Sequence, residues 1–82
     1  MVAGAKKLGL SEADATTLTV QTIVGAAKLL DESGKSATTL RENVTSPNGT
    51  TAAALASFGS SDLNSMVAAA MKAASDRSQE LA

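Results

Sequence analysis

From Val20 to Leu30 the chain reads Val, Gln, Thr, Ile, Val, Gly, Ala, Ala, Lys, Leu, Leu, so apolar or small groups fall on almost every face of a helix. A helix of that kind must be surrounded, and few residues remain to surround it. Its start and stop are legible. Ser11 is a good N-cap, Glu12 and Asp14 place negative charge in the first turn, and Gly34 follows Ser33 as a stop. A second helical stripe comprises Leu63, Met66, Val67, Ala70, Met71 and Ala74, spaced three and four apart. Ser60-Ser-Asp62 is placed to cap this helix, and Arg77 falls where a last turn favours a cation. Between the two lies a short helix from Ser36 to about Asn43, with Leu40 turned inward. Another helix begins at Ser46-Pro47, with proline preorganised at the first helical position, and stops near Phe58-Gly59.

At the amino end, Met1 to Leu8 contains good helix formers with no capping residue ahead of them, and Gly9 is placed as a left-handed stop. The segment reads as the tail of a longer helix. That predicts a piece of a larger protein, with Met1 an added start. No strand-like alternation, internal repeat or low-complexity linker interrupts the pattern. The fold class predicted is all-α, one domain over residues 1–82, with about five helices.

Composition sharpens the burial problem. The hydrophobic fraction is 44%, but Phe58 is the one aromatic residue and there are three methionines, so large core side chains are scarce. There is no cysteine and no histidine, which removes disulfide crosslinks and the common zinc sites as remedies. Association with a second copy, or with an attached domain, is the remedy left. Gly25-Ala26-Ala27 would let another backbone come close, or would serve ordinary tight packing within the core.

The net charge of −1, from seven basic and eight acidic residues, offers no footprint for nucleic acid or an anionic membrane. No apolar run reaches the roughly eighteen residues of a spanning helix, and no signal-peptide pattern opens the chain. A cytoplasmic location follows as the expectation. Without histidine or cysteine there is no serine–histidine triad, thiolate nucleophile or imidazole base. The acids are scattered or adjacent, as in Asp31-Glu32, which suits a solvated helix face; no metal site and no glycine-rich nucleotide loop is predicted. Met66 and Met71 belong to the apolar stripe.

One segment could still carry chemistry. At Pro47-Asn-Gly-Thr-Thr51 a helix start would present free backbone N–H groups from Asn48, Gly49 and Thr50, with hydroxyls beside them. Such a terminus suits a carboxylate or phosphate, with the dipole contributing roughly 0.3–1 kcal/mol, up to about 2 when partly buried. A merely well-started helix would show the same residues.

Read together, Lys7-Leu-Gly-Leu10, Gln21-Thr-Ile-Val-Gly-Ala-Ala27, Leu40-Arg41, Asn43-Val-Thr-Ser-Pro-Asn-Gly-Thr-Thr51 and Arg77-Ser-Gln-Glu-Leu81 resemble, in order and spacing, the C-terminal domain of the pyrroline-5-carboxylate reductases. The resemblance runs from about residue 2 to the end, and the Val44 to Thr51 stretch is its most specific part. It implies a helical domain that intertwines with its twin as a homodimer, in some members within a larger ring of dimers. It also implies NADPH or NADH held by an N-terminal Rossmann domain that this chain does not contain.

By the same resemblance, Ser46, Asn48, Gly49, Thr50 and Thr51 match the loop that grips the substrate carboxylate. Thr51 matches the threonine whose hydroxyl reaches the ring nitrogen, and Asn43 a position near the site, although an asparagine ending a helix has an equally good capping role. Asn48 stands where the family more often has glycine. The implied parent activity is reduction of 1-pyrroline-5-carboxylate to L-proline in proline biosynthesis, with this chain inactive alone. The main rival is a purely structural helical dimerisation module without a substrate site; a third reading is a domain of a related Rossmann reductase acting on another imine or keto acid.

Overall fold

The computed structural model describes residues 1–82 as five helices and no strand: α1 (Val2–Lys7), α2 (Glu12–Ser33), α3 (Ala37–Asn43), α4 (Thr50–Ser60) and α5 (Leu63–Leu81). They fall into two compact units, Met1–Glu42 and Asn43–Ala82.

In the first unit, α2 is bounded by the two residues its sequence marks. Ser11 Oγ accepts from the Asp14 N–H at 3.1 Å, and Gly34 ends the helix at φ 70, a conformation open to glycine without a Cβ penalty. Glu12 and Asp14 lie in the first turn as expected. Gly9 at φ 106 lets the chain reverse after α1, and the Leu10 N–H donates to Ala5 O at 3.2 Å across that reversal. α1 therefore packs against α2, buries Ala15 completely and brings Lys6 Nζ to 3.4 Å from Glu12 Oε1. Both ends of that ion pair are well exposed, so it adds little to stability. Thr22, on the apolar stretch of α2, returns its hydroxyl to Leu18 O at 2.7 Å, which satisfies a polar group on that face. α3 is capped as the sequence predicts: Ser36 Oγ accepts from the Thr39 N–H at 3.1 Å, and Leu40 is half-buried.

Three boundary expectations change in the second unit. α4 begins at Thr50, three residues beyond Pro47. Asp62 is the N-cap of α5 by position, but it sits in the left-handed region at φ 54 and its side chain makes no capping bond. α5 also continues to Leu81, so Arg77 lies before the last turn and pairs with Glu80 Oε2 at 2.9 Å instead of serving the helix end. Within this unit α4 and α5 barely touch.

Ala15 is the one fully buried hydrophobic residue of the chain. Leu18, Val20, Ile23, Val24, Leu29 and Leu30 of α2 are each about half exposed, and so are Phe58, Met66 and Val67. The apolar stripes that the sequence marks as core are real as stripes, but this chain alone does not cover them. No helix is long and apolar enough to cross a membrane.

Candidate functional site

The segment between α3 and α4 is built around a tight turn. The Gly49 N–H donates to Ser46 O at 3.0 Å, closing a four-residue turn with Pro47 second and Asn48 third. Asn48 has φ 61. Proline at the second position and a positive φ at the third are the pattern of a type II turn, and asparagine is among the few residues that tolerate that conformation. This explains why the helix does not start at Pro47. The turn instead uses the preferences of Pro47, Asn48 and Gly49 together.

Gly49 then becomes the N-cap of α4 at φ −84, ψ −179, an extended conformation that any residue adopts. Its requirement for glycine is spatial. A Cβ there would stand 3.2 Å from Ser46 O and 3.4 Å from Ser46 Cβ, because the chain folds back on itself.

The first backbone bond of α4 runs from the Ala53 N–H to Gly49 O at 3.1 Å. The amides ahead of it, those of Thr50, Thr51 and Ala52, are therefore the open donors of the terminus. Sequence reasoning named Asn48, Gly49 and Thr50. Thr50 is open as expected, the Asn48 N–H makes no backbone bond but lies in the turn ahead of the helix, Gly49 is corrected by its bond to Ser46, and the open helix end adds Ala52, whose side chain carries no signal of such a role. The Asn-Gly pair was the available clue that the helix starts after it. Unlike α2, this terminus has no side-chain cap and no acidic residue in its first turn, so no carboxylate of α4 competes for the amides.

Thr51 is half-buried and its hydroxyl makes no hydrogen bond within the chain. Thr50, Ser46 and Asn48 are exposed. Asn43, the last residue of α3, belongs to the same compact unit as the loop, and its side chain makes no hydrogen bond to it. Ser46 and Gly49 are thus brought into direct contact, Thr50 and Thr51 share the open helix end, and Asn43 is not joined to them by any bond. No three histidine, cysteine or acidic side chains cluster anywhere in the chain.

The uncovered apolar surface is the second functional feature. The chain exposes 6646 Å². Along α2 and α5 that surface includes Leu18, Ile23, Val24, Met66 and Met71, each about half exposed or more.

Against that background, a family described as pyrroline-5-carboxylate reductase dimerisation matches residues 1–81. The chain belongs to this family. It is similar to the pyrroline-5-carboxylate reductase of Pseudomonas aeruginosa, 48% identical over 82 residues, which is all of this chain and 30% of that protein. Pyrroline-5-carboxylate reductase 1 of Bacillus subtilis is 41% identical over 76 residues, covering 93% of this chain and 26% of its own length. Among solved structures, the Plasmodium falciparum pyrroline carboxylate reductase with NADP bound superposes with a TM-score of 0.85 at 30% identity, over 88% of this chain and 29% of that one. The chain thus spans less than a third of the pyrroline-5-carboxylate reductases it matches, and it shares the fold of their dimerisation region.

Proposed function

We propose that the chain is the dimerisation and substrate-binding part of a pyrroline-5-carboxylate reductase, the rest of which carries the nucleotide-binding domain. The observation that carries this reading is the open amino terminus of α4, directly after the turn in the segment of closest family resemblance. A second copy covers the apolar stripes of α2 and α5. A larger ring built from such dimers is the further assembly we infer, in the cytoplasm.

The substrate carboxylate lies against the amides of Thr50, Thr51 and Ala52, where the helix dipole and unpaired donors favour negative charge. Gly49 admits it by lacking a side chain, and Ser46 and Asn48 shape the rim. A reduced nicotinamide dinucleotide, NADPH or NADH, held by the other domain supplies the hydride. This chain has to manage charge at the ring nitrogen. As the C=N carbon is reduced, negative charge moves onto nitrogen, and a donor already in place there lowers the barrier. The Thr51 hydroxyl, free of internal bonds, orients the ring and relays a proton from water.

The test joins the chain to its nucleotide-binding half and measures reduction of 1-pyrroline-5-carboxylate with NADPH and with NADH. The joined protein should turn over and the 82-residue chain alone should not. Turnover that is indifferent to every change at residues 46–51 would leave the purely structural dimerisation module as the correct reading.

A further inference from the structure

We propose that Asn48 is a site of spontaneous covalent modification, at which the chain converts its own asparagine to aspartate and isoaspartate through a cyclic imide. The step needs a carboxamide carbon, a following backbone nitrogen that no side chain covers, and access for water and base. Asn48 is exposed and its side chain makes no hydrogen bond within the chain. Gly49 has no Cβ to cover its nitrogen, and a Cβ added there would stand only 3.2 Å from Ser46 O, which disfavours any other residue. The nitrogen also sits at the N-cap of α4, where the helix dipole eases loss of its proton.

In the reaction the deprotonated Gly49 nitrogen attacks the Asn48 side-chain carbon and a C–N bond forms. The C–N bond to the amide group breaks and ammonia leaves. Water then opens the five-membered imide at one of its two carbonyls, giving aspartate, or isoaspartate with the chain routed through the former side chain. Nothing is oxidised or reduced. In the closed turn the Gly49 proton is held by Ser46 O at 3.0 Å, so the reaction proceeds when the turn opens. One hydrogen bond of that kind slows it by roughly fivefold.

Two other asparagines serve as internal controls. Asn43 ends α3 and is followed by the branched Val44, and Asn64 lies inside α5 and is followed by Ser65. Both hold helical dihedrals, which keep the next nitrogen away from the carboxamide carbon. Conversion of Asn48 places a new negative charge, and in the isoaspartate product an extra methylene, beside the open amides of α4. If the carboxylate-binding reading above holds, on which this consequence alone rests, an aged enzyme binds its anionic substrate more weakly.

The full 82-residue chain is held at mildly alkaline pH and 37 °C, sampled over days, and mapped by peptide mass and isoaspartyl methyl labelling. The expected result is conversion at Asn48 while Asn43 and Asn64 remain intact, with loss of the signal in Asn48→Gly and a roughly fivefold faster reaction in urea. Conversion of Asn48 no faster than of the other two, or a signal that survives Asn48→Gly, overturns the proposal. Asn48→Asp, made in the joined enzyme, separates the two ideas. If deamidation occurs but this variant keeps its KM, the modification stands and the carboxylate reading falls.

Discussion

Removing one hydroxyl, in Thr51→Ala, tests the proposed chemistry most directly, provided that it is made in the joined enzyme. Loss of a positioned proton donor should lower kcat/KM by about 10²-fold. That corresponds to roughly 2.7 kcal/mol of transition-state stabilisation. Folding does not confound the result. The cap of α4 is Gly49, no internal hydrogen bond engages the Thr51 hydroxyl, and the site is helical. Alanine is the better helix former by up to about 0.6 kcal/mol, so thermal unfolding should be unchanged or slightly delayed.

The steady-state constants carry the rest of the test. A hydroxyl that acts only as charge develops should reduce kcat and kcat/KM together and leave KM alone. Thr51→Ser, which keeps the hydroxyl, should recover most of the activity. Thr50→Ala should stay within about twofold of the unmodified enzyme, since Thr50 is exposed and contributes its amide, which alanine retains. Equal and mild losses for Thr50→Ala and Thr51→Ala, or normal turnover in Thr51→Ala, would refute the catalytic role and leave the loop as a carboxylate clamp.

Further expectations concern assembly and local stability. At micromolar concentration the isolated chain should sediment as a dimer, and Val24→Asp should abolish both dimer and cooperative folding; a stable folded monomer would show that the exposed stripes need no partner. Lys72→Ala should cost at most about 0.5 kcal/mol, because its 2.7 Å bond to Asp76 joins two exposed side chains one helical turn apart. Ser11→Ala should destabilise the chain by about 1 kcal/mol in a denaturant titration, through loss of the bond from the Asp14 N–H. Gly34→Ala should also cost about 1 kcal/mol by the same measurement, since its φ of 70 carries a Cβ penalty in any other residue.

Local chemistry was legible in the sequence wherever one residue decided the outcome alone. Ser11, Ser36 and Gly34 mark helix ends through bonds or dihedrals that depend on their immediate neighbours, and the structure has all three in those roles. The three-and-four spacing of α5 and the nearly uniform apolar character of α2 likewise marked these helices and the need for cover. Where two local preferences competed, sequence reading failed. Pro47 suits both a first helical position and the second place of a turn, and only the fold-back of Gly49 onto Ser46 decides between them. That choice fixes which amides are open, so the Ala52 N–H is among the open donors and the Gly49 N–H is not. Asp62 was placed correctly as a boundary, yet its left-handed backbone turns the expected side-chain cap into a purely positional one. Burial was the least legible property. It belongs to pairs of surfaces, and a chain with Ala15 as its one fully buried hydrophobic residue leaves most of its apolar surface without a partner of its own.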